Sequence, residues 1–150
     1  MSTAQYSVEV DAPPEVVWEV ISDPRNLPHW DRHIRAVDVP DGGLGPGVRY
    51  DAEMVFMGVR ASVPCEVLEW EPPWRSSLHL GGLLDATVVT SIAALPFGRA
   101  LLRHEVTFVF GGPLGAFAAA SVNAVGGAAF ALRRGTIAQR REIERRAATR

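Results

Sequence analysis

The stretch GGPLGAFAAASVNAVGGAAFALRRGTIAQRREIERRAATR (111–150) reads as one long helix. Gly111-Gly112 makes a flexible joint, and Pro113 suits a first helical turn. Leu114, Phe117, Ser121, Val125, Ala128 and Leu132 then recur at helical spacing. Beyond Leu132 the character changes: Arg133-Arg134, Arg140-Arg141 and Arg145-Arg146 alternate with Glu142 and Glu144, while Ile137 and Ile143 keep an apolar stripe. The first half therefore needs cover nearly all round, and the second half needs one face in water. Gly126-Gly127 lies between them, each glycine weakening a helix by roughly 1 kcal/mol relative to Ala. A helix this apolar at its start requires a concave partner.

The rest of the chain supplies one. Residues 4–11 alternate, with Tyr6, Val8 and Val10 against Ser7, Glu9 and Asp11, as a half-buried strand does. Asp11 reads as an N-cap and Pro13-Pro14-Glu15 as the start of a short helix with Val16, Val17, Val20 and Ile21 as its buried stripe. Ser22-Asp23-Pro24 ends it and opens a second turn through Leu27 and Pro28 to Trp30. Strands follow at 34–39, 48–57, 59–70, 74–80, about 84–95 and 100–110. Their breaks are the glycine-rich 41–47, Gly58, Pro72-Pro73 and Pro96-Phe97-Gly98. Strand, two short helices, a meander of about six strands and a terminal helix give an α+β domain. Its sheet must curve to cover both the helix and its own apolar face.

At 150 residues, one domain spanning 1–150 is expected, large enough to hold a core without a disulfide or a metal. The lone Cys65 excludes an internal disulfide and a multi-cysteine zinc site. A net charge of −2 gives no electrostatic footprint for nucleic acid. All 15 basic residues are arginine, which reads as the coding bias of a GC-rich bacterium. The N-terminus lacks the basic and apolar regions of a signal peptide, so a cytoplasmic location is expected. Residues 111–132 approach membrane-spanning length, but their Gly and Ala content, with Ser121 and Asn123, points to a core helix rather than stable membrane insertion.

Three segments carry a family resemblance. VEVDAPPEVVWEVISD (8–23) resembles the first strand and helix of the helix-grip fold of the START and plant-pollen-allergen-like superfamily, also known as SRPBCC. NLPHWD (26–31) is similar to its second short helix, and EVLEWEPPW (66–74) to the strand end that turns at a proline pair. Within that superfamily the chain resembles the bacterial polyketide cyclase/dehydrase and lipid-transport group. The resemblance implies a curved antiparallel sheet of about seven strands wrapped around the C-terminal helix, with a ligand cavity between them. Parity then assigns the cavity wall to Tyr50, Ala52, Met54, Phe56, Ala61, Val63 and Cys65, and to Leu114, Phe117, Ser121 and Val125 of the helix, with Trp30 at the rim. Such a wall suits an apolar or aromatic ligand.

Few residues in that wall carry chemistry. His104 is the candidate acid or base for a ring closure or dehydration, although the strand's parity leaves open whether His104 or Glu105 faces inward. Tyr50 lies on the concave face, where a buried phenol needs a partner that a ligand oxygen or another core group can equally provide. Ser121 falls on the helix stripe, able to donate to a ligand or to the carbonyl one turn back. Arg60 and Arg103 are able to polarise a ligand carbonyl, but parity places Arg60 with Ser62 and Glu66 on the outer face; Cys65 reads as a small core residue. His29 and His33 have the spacing of two ligands on one helix face, but no third ligand accompanies them; neither a metal nor a cofactor is expected.

Two functions follow from the resemblance. One is a cyclase-like protein that folds a polyketide-like ligand by shape, with Tyr50, His104 and Ser121 assisting. The other is a non-catalytic carrier or sequestering protein. A special form resembles the self-sacrifice resistance proteins of enediyne producers, with Gly111 and Gly112 as the sacrificial residues. Antibiotic biosynthesis or resistance is the implied setting, and a monomer or weak dimer the expected state. The two glycine pairs bracket the helix half that roofs the cavity, which is the segment expected to move for a ligand.

Overall fold

The computed structural model describes residues 2–30, 34–56, 58–82, 85–109 and 127–149. Seven strands form one antiparallel sheet: β1 (Ser2–Val10), β2 (Ile34–Asp38), β3 (Arg49–Phe56), β4 (Val59–Glu71), β5 (Arg75–Leu80), β6 (Asp85–Leu95) and β7 (Arg99–Val109). Their order is β1-β7-β6-β5-β4-β3-β2, a continuous meander whose last strand returns to pair with the first. The expected strands are all present, their ends shifted by one or two residues. The hairpin turns sit where the breakers put them; Gly58 takes φ +79 between β3 and β4, and Phe97 and Gly98 take φ +64 and +70 between β6 and β7.

Helix α1 (Pro14–Ile21) is short and rich in β-branched residues, which favour helix weakly. Eight residues of this kind hold a helix only through tertiary burial. Pro14, Val16, Val17, Trp18 and Val20 are buried, and the last four pack with Val8 and Val10 of β1, Ile92 of β6, and Ala100 and Leu102 of β7. The helix start departs from the expected Asp11 cap. The N-cap is Pro13, with no side-chain cap, and its carbonyl accepts from the amides of Val16 and Val17 at 3.0 and 3.1 Å. Asp11 lies two residues too early to reach those amides and instead faces Arg99 at 3.9 Å. The second turn is a 3₁₀ helix, Pro24–His29, which Asp23 opens by accepting from the Arg25 amide at 3.0 Å.

The C-terminal helix, α2, is described over Gly127–Ala148. It packs on β1 and α1, and Ile143 is its deepest contact with the first core. A clasp closes its far end. Asn26 donates to the Val20 carbonyl at 2.9 Å and accepts from Arg146 at 3.1 Å, while Arg145 and Arg146 both bind Glu142. Those guanidinium groups, Arg145 first, hold the Glu142 carboxyl down at about 2. Residues 111–126, the half expected to roof the cavity, lie outside the described residues, and Gly111, Gly112, Leu114, Phe117, Ser121 and Val125 with them. Among the described residues no helix is long and apolar enough to cross a membrane.

Candidate functional site

The concave face of the sheet carries two apolar clusters. The first is the α1–β1–β7 core described above. The second is built from Tyr50 and Ala52 of β3 with Cys65 and Val67 of β4, and Val37, Val48, Val63, Leu78 and Leu80 pack against it. Trp70 touches both clusters, and its ring meets Trp18 edge-on with centroids 4.8 Å apart. Strict alternation from Val67 would put Trp70 on the outer face. A bulge between Val67 and Glu69 adds one residue, so Leu68 is left exposed and Trp70 turns inward opposite Ser76.

Between the clusters lies a hollow of about 60 Å³ among the described residues. Trp18, Ile21 and Leu27 form one wall; Tyr50, Trp70 and Leu78 form another, with Leu44 of the glycine-rich loop at its edge. The polar side chains on it are Ser22, Tyr50, Ser76 and Thr90. A wider concavity of about 350 Å³ is lined by Arg49, Tyr50, Asp51, Pro64, Cys65, Glu66, His79 and Gly81, its charged side chains on the sheet's outer face. There Arg49 faces Glu66 at 3.7 Å and His79 faces Asp85 at 2.7 Å. These charges are satisfied by one another and open to water, where such pairs contribute little. The smaller inner hollow, bounded by three aromatic rings, is the more apolar of the two and the candidate site despite its size.

The register settles the orientation that parity left open. His104 pairs with Tyr6 on one side and Thr90 on the other and faces inward, while Glu105 faces outward and meets Arg103 at 3.4 Å. His104 is 7% exposed and does not line the hollow; Thr90 stands between them. The Gln139 amide oxygen faces His104 Nε2 at 2.6 Å, which assigns the ring proton to Nε2. Nδ1 is then an acceptor, and the Thr90 hydroxyl donates to it at 2.8 Å. Burial lowers the His104 pKa, opposed by the hydrogen bond to Gln139, so the ring is neutral. Thr90, His104 and Gln139 thus form one chain of hydrogen bonds from the hollow through β7 to α2.

Tyr50 reaches the hollow as expected. Burial pushes its phenol far above the usual range, and the neighbouring Cys65 thiol adds to the shift, so it stays protonated. Burial also pushes the Cys65 thiol up to about 11. Val63 packs against the second cluster, and Met54 lies on the inner face partly buried; neither lines the hollow, and Trp30 packs against the first core instead. Nothing of the Phe56 side chain is described. Arg60 and Arg103 face outward, beside Glu53 and Gln5 respectively. His33 lies outside the described residues, and among those described no three His, Cys, Asp or Glu gather as a metal site would require.

Sequence reasoning missed Trp18, Trp70, Ser76, Thr90 and Gln139. Trp18 was legible in part, since it precedes Ile21 and Ser22 by three and four positions and so shares their helix face. Thr90 was legible from its strand, two residues from the inward-facing Ile92. The bulge that turns Trp70 inward leaves no pattern in the sequence.

A sequence model of the family described as polyketide cyclase / dehydrase and lipid transport matches residues 1–138. Solved structures share the fold at low identity. A conserved protein of Geobacillus kaustophilus superposes with a TM-score of 0.72 at 18% identity, covering 96% of both chains. A Thermus thermophilus protein superposes at 0.71 and 15% identity, covering 99% of this chain and 98% of that one. The di-domain aromatase/cyclase StfQ of the steffimycin biosynthetic pathway superposes at 0.69 and 14% identity, covering 95% of this chain and 44% of that one. At these identities the likeness is one of fold. No curated protein matches the sequence.

Proposed function

The chain belongs to the polyketide cyclase / dehydrase and lipid transport family, and from that premise we propose that it binds a hydrophobic or aromatic small molecule, polyketide-like in character, in the hollow between α1, the 3₁₀ helix and the concave sheet. The observation that carries this reading is the pair Trp18 and Trp70, edge to face at 4.8 Å and both lining the hollow. An aromatic ligand continues that packing, and each favourable ring pair adds about 0.5–1.5 kcal/mol beyond its burial. A dry apolar cavity of about 150 Å³ holds a single benzene ring. The described hollow is about 60 Å³, so occupancy widens it, and Leu27 and Leu44 are among the wall residues outside regular strands and α-helices.

One observation favours binding without acid–base catalysis. Among the described residues, the ionisable side chain on the hollow is Tyr50, held protonated, and His104 is screened from it by Thr90. Any cyclisation or dehydration would then proceed by shape and orientation, which can lower a barrier by several kcal/mol. Ligand-observed NMR against aromatic polyketides and fatty acids tests binding, and following the bound compound over time tests turnover. Conversion that vanishes in a Tyr50→Phe protein of unchanged affinity would establish acid catalysis and displace the carrier reading. The resistance form of that reading keeps Gly111 and Gly112 as its candidates; an intact chain by mass spectrometry after exposure to an activated enediyne would remove it.

A further inference from the structure

We propose that Thr90 reads the ligand's polar end, and that it does so only as a hydrogen-bond acceptor, selecting ligands that carry a hydroxyl there over those with a carbonyl or ether. The inference rests on the hollow being the binding site and deepens that reading by naming a chemical class: phenols, enols and related O–H donors. A threonine hydroxyl has one hydrogen to give and two lone pairs. At Thr90 the hydrogen is committed. His104 Nε2 carries the ring proton because it faces the Gln139 oxygen at 2.6 Å, so Nδ1 has to be satisfied by Thr90, 2.8 Å away. His104 is 7% exposed, so breaking that bond would strand a buried acceptor. Thr90 therefore presents lone pairs alone to the hollow.

The serine hydroxyls on the hollow do not discriminate in this way. They can rotate to give or to accept, so Ser22 and Ser76 accommodate either kind of ligand oxygen, whereas the Tyr50 hydroxyl is engaged with the Cys65 thiol. Thr90 is also held in place. Its strand neighbours Ser76 and His104 fix it from both sides of the sheet, and Gln139 locks the imidazole from α2. His104 and Gln139 are thus positioning residues that act through Thr90, although neither lines the hollow.

The test uses 2-naphthol and 2-methoxynaphthalene, which share a ring system and differ in the donor hydrogen. Both are titrated by ligand-observed NMR into the wild-type protein and into Thr90→Ser and Thr90→Val. The wild type should prefer the naphthol about five-fold more strongly than Thr90→Val does, the worth of one net hydrogen bond; Thr90→Ser should keep the preference. Equal preference in wild type and Thr90→Val overturns the inference while leaving the binding reading intact. Failure of both probes to bind the wild type overturns the binding reading and this inference with it. A readout that needs neither ligand nor mutation is the imidazole nitrogen spectrum of the wild type at pH 7. His104 should show a protonated Nε2 and an unprotonated Nδ1; the opposite tautomer would free the Thr90 hydrogen and refute the assignment.

Discussion

His104 makes the stability of this protein sensitive to mild acid. Among the described residues, the ring is hydrogen-bonded to Thr90 from β6 and Gln139 from α2, with Tyr6 of β1 its cross-strand neighbour, and none of the three is a carboxylate. Burial therefore lowers its pKa below the ordinary 6.5 with no carboxylate to offset the cost. The sign follows directly. Between the folded and unfolded values the unfolded chain binds a proton that the native state does not, so stability falls as pH drops through 6.5. While the native ring stays neutral, each pH unit below that point removes up to roughly 1.4 kcal/mol. From pH 7.5 to 5.5 the loss attributable to this residue is at most about 1.4 kcal/mol, the limit for a native ring that stays neutral throughout. Urea unfolding followed by tryptophan fluorescence at both pH values measures it. The comparison is with His104→Gln, which shares every other titrating group and whose stability is lower at pH 7.5 but lacks this term. The gap between the two proteins should narrow by that amount at pH 5.5. Parallel losses in both would refute a buried, neutral His104.

Three other outcomes follow from the same contacts. Trp70→Ala removes the side chain that joins both cores and should cost about 2–4 kcal/mol, with a fall in affinity for aromatic probes, both readable from urea titrations and NMR binding curves. Cys65, its thiol pushed up to about 11 from an ordinary 9.0, should react with a disulfide reagent at pH 8 about a hundred-fold more slowly than a free thiol on ionisation alone, and reaction as fast as in the unfolded chain would contradict its burial. Glu142, held at about 2, stabilises the fold above about pH 4.5 and loses that contribution as pH falls towards 2; because Arg145 is 65% exposed, the effect is about 1 kcal/mol, absent in Glu142→Gln.

Much of the architecture was legible because it rests on local periodicity. Alternation in 48–57 and 59–70 put Tyr50, Ala52, Cys65 and Val67 on one face, and the register shows them there. Turn chemistry at Gly58 and Pro96-Phe97-Gly98 located two hairpins. The site was less legible because it depends on contacts between distant segments. Whether His104 or Glu105 faces inward follows from pairing with Tyr6, 98 residues earlier, not from its own strand. Thr90 becomes a donor only because Gln139 sits on the far side of the imidazole, a relation no spacing encodes. Trp70 needed a bulge, and α1 a proline cap in place of the expected aspartate; both are outcomes of tertiary fit.

The central claim is that ligand sits between the concave sheet and α1. The most direct measurement is a titration of ¹⁵N-labelled protein with 2-naphthol, following the indole N–H signals. Trp18 and Trp70 line the hollow, whereas Trp74 is 47% exposed beside the β4–β5 turn. The Trp18 and Trp70 signals should shift together along one saturable curve while Trp74 stays still. Movement of Trp74 with Trp18 and Trp70 unchanged would place the ligand elsewhere and contradict the account.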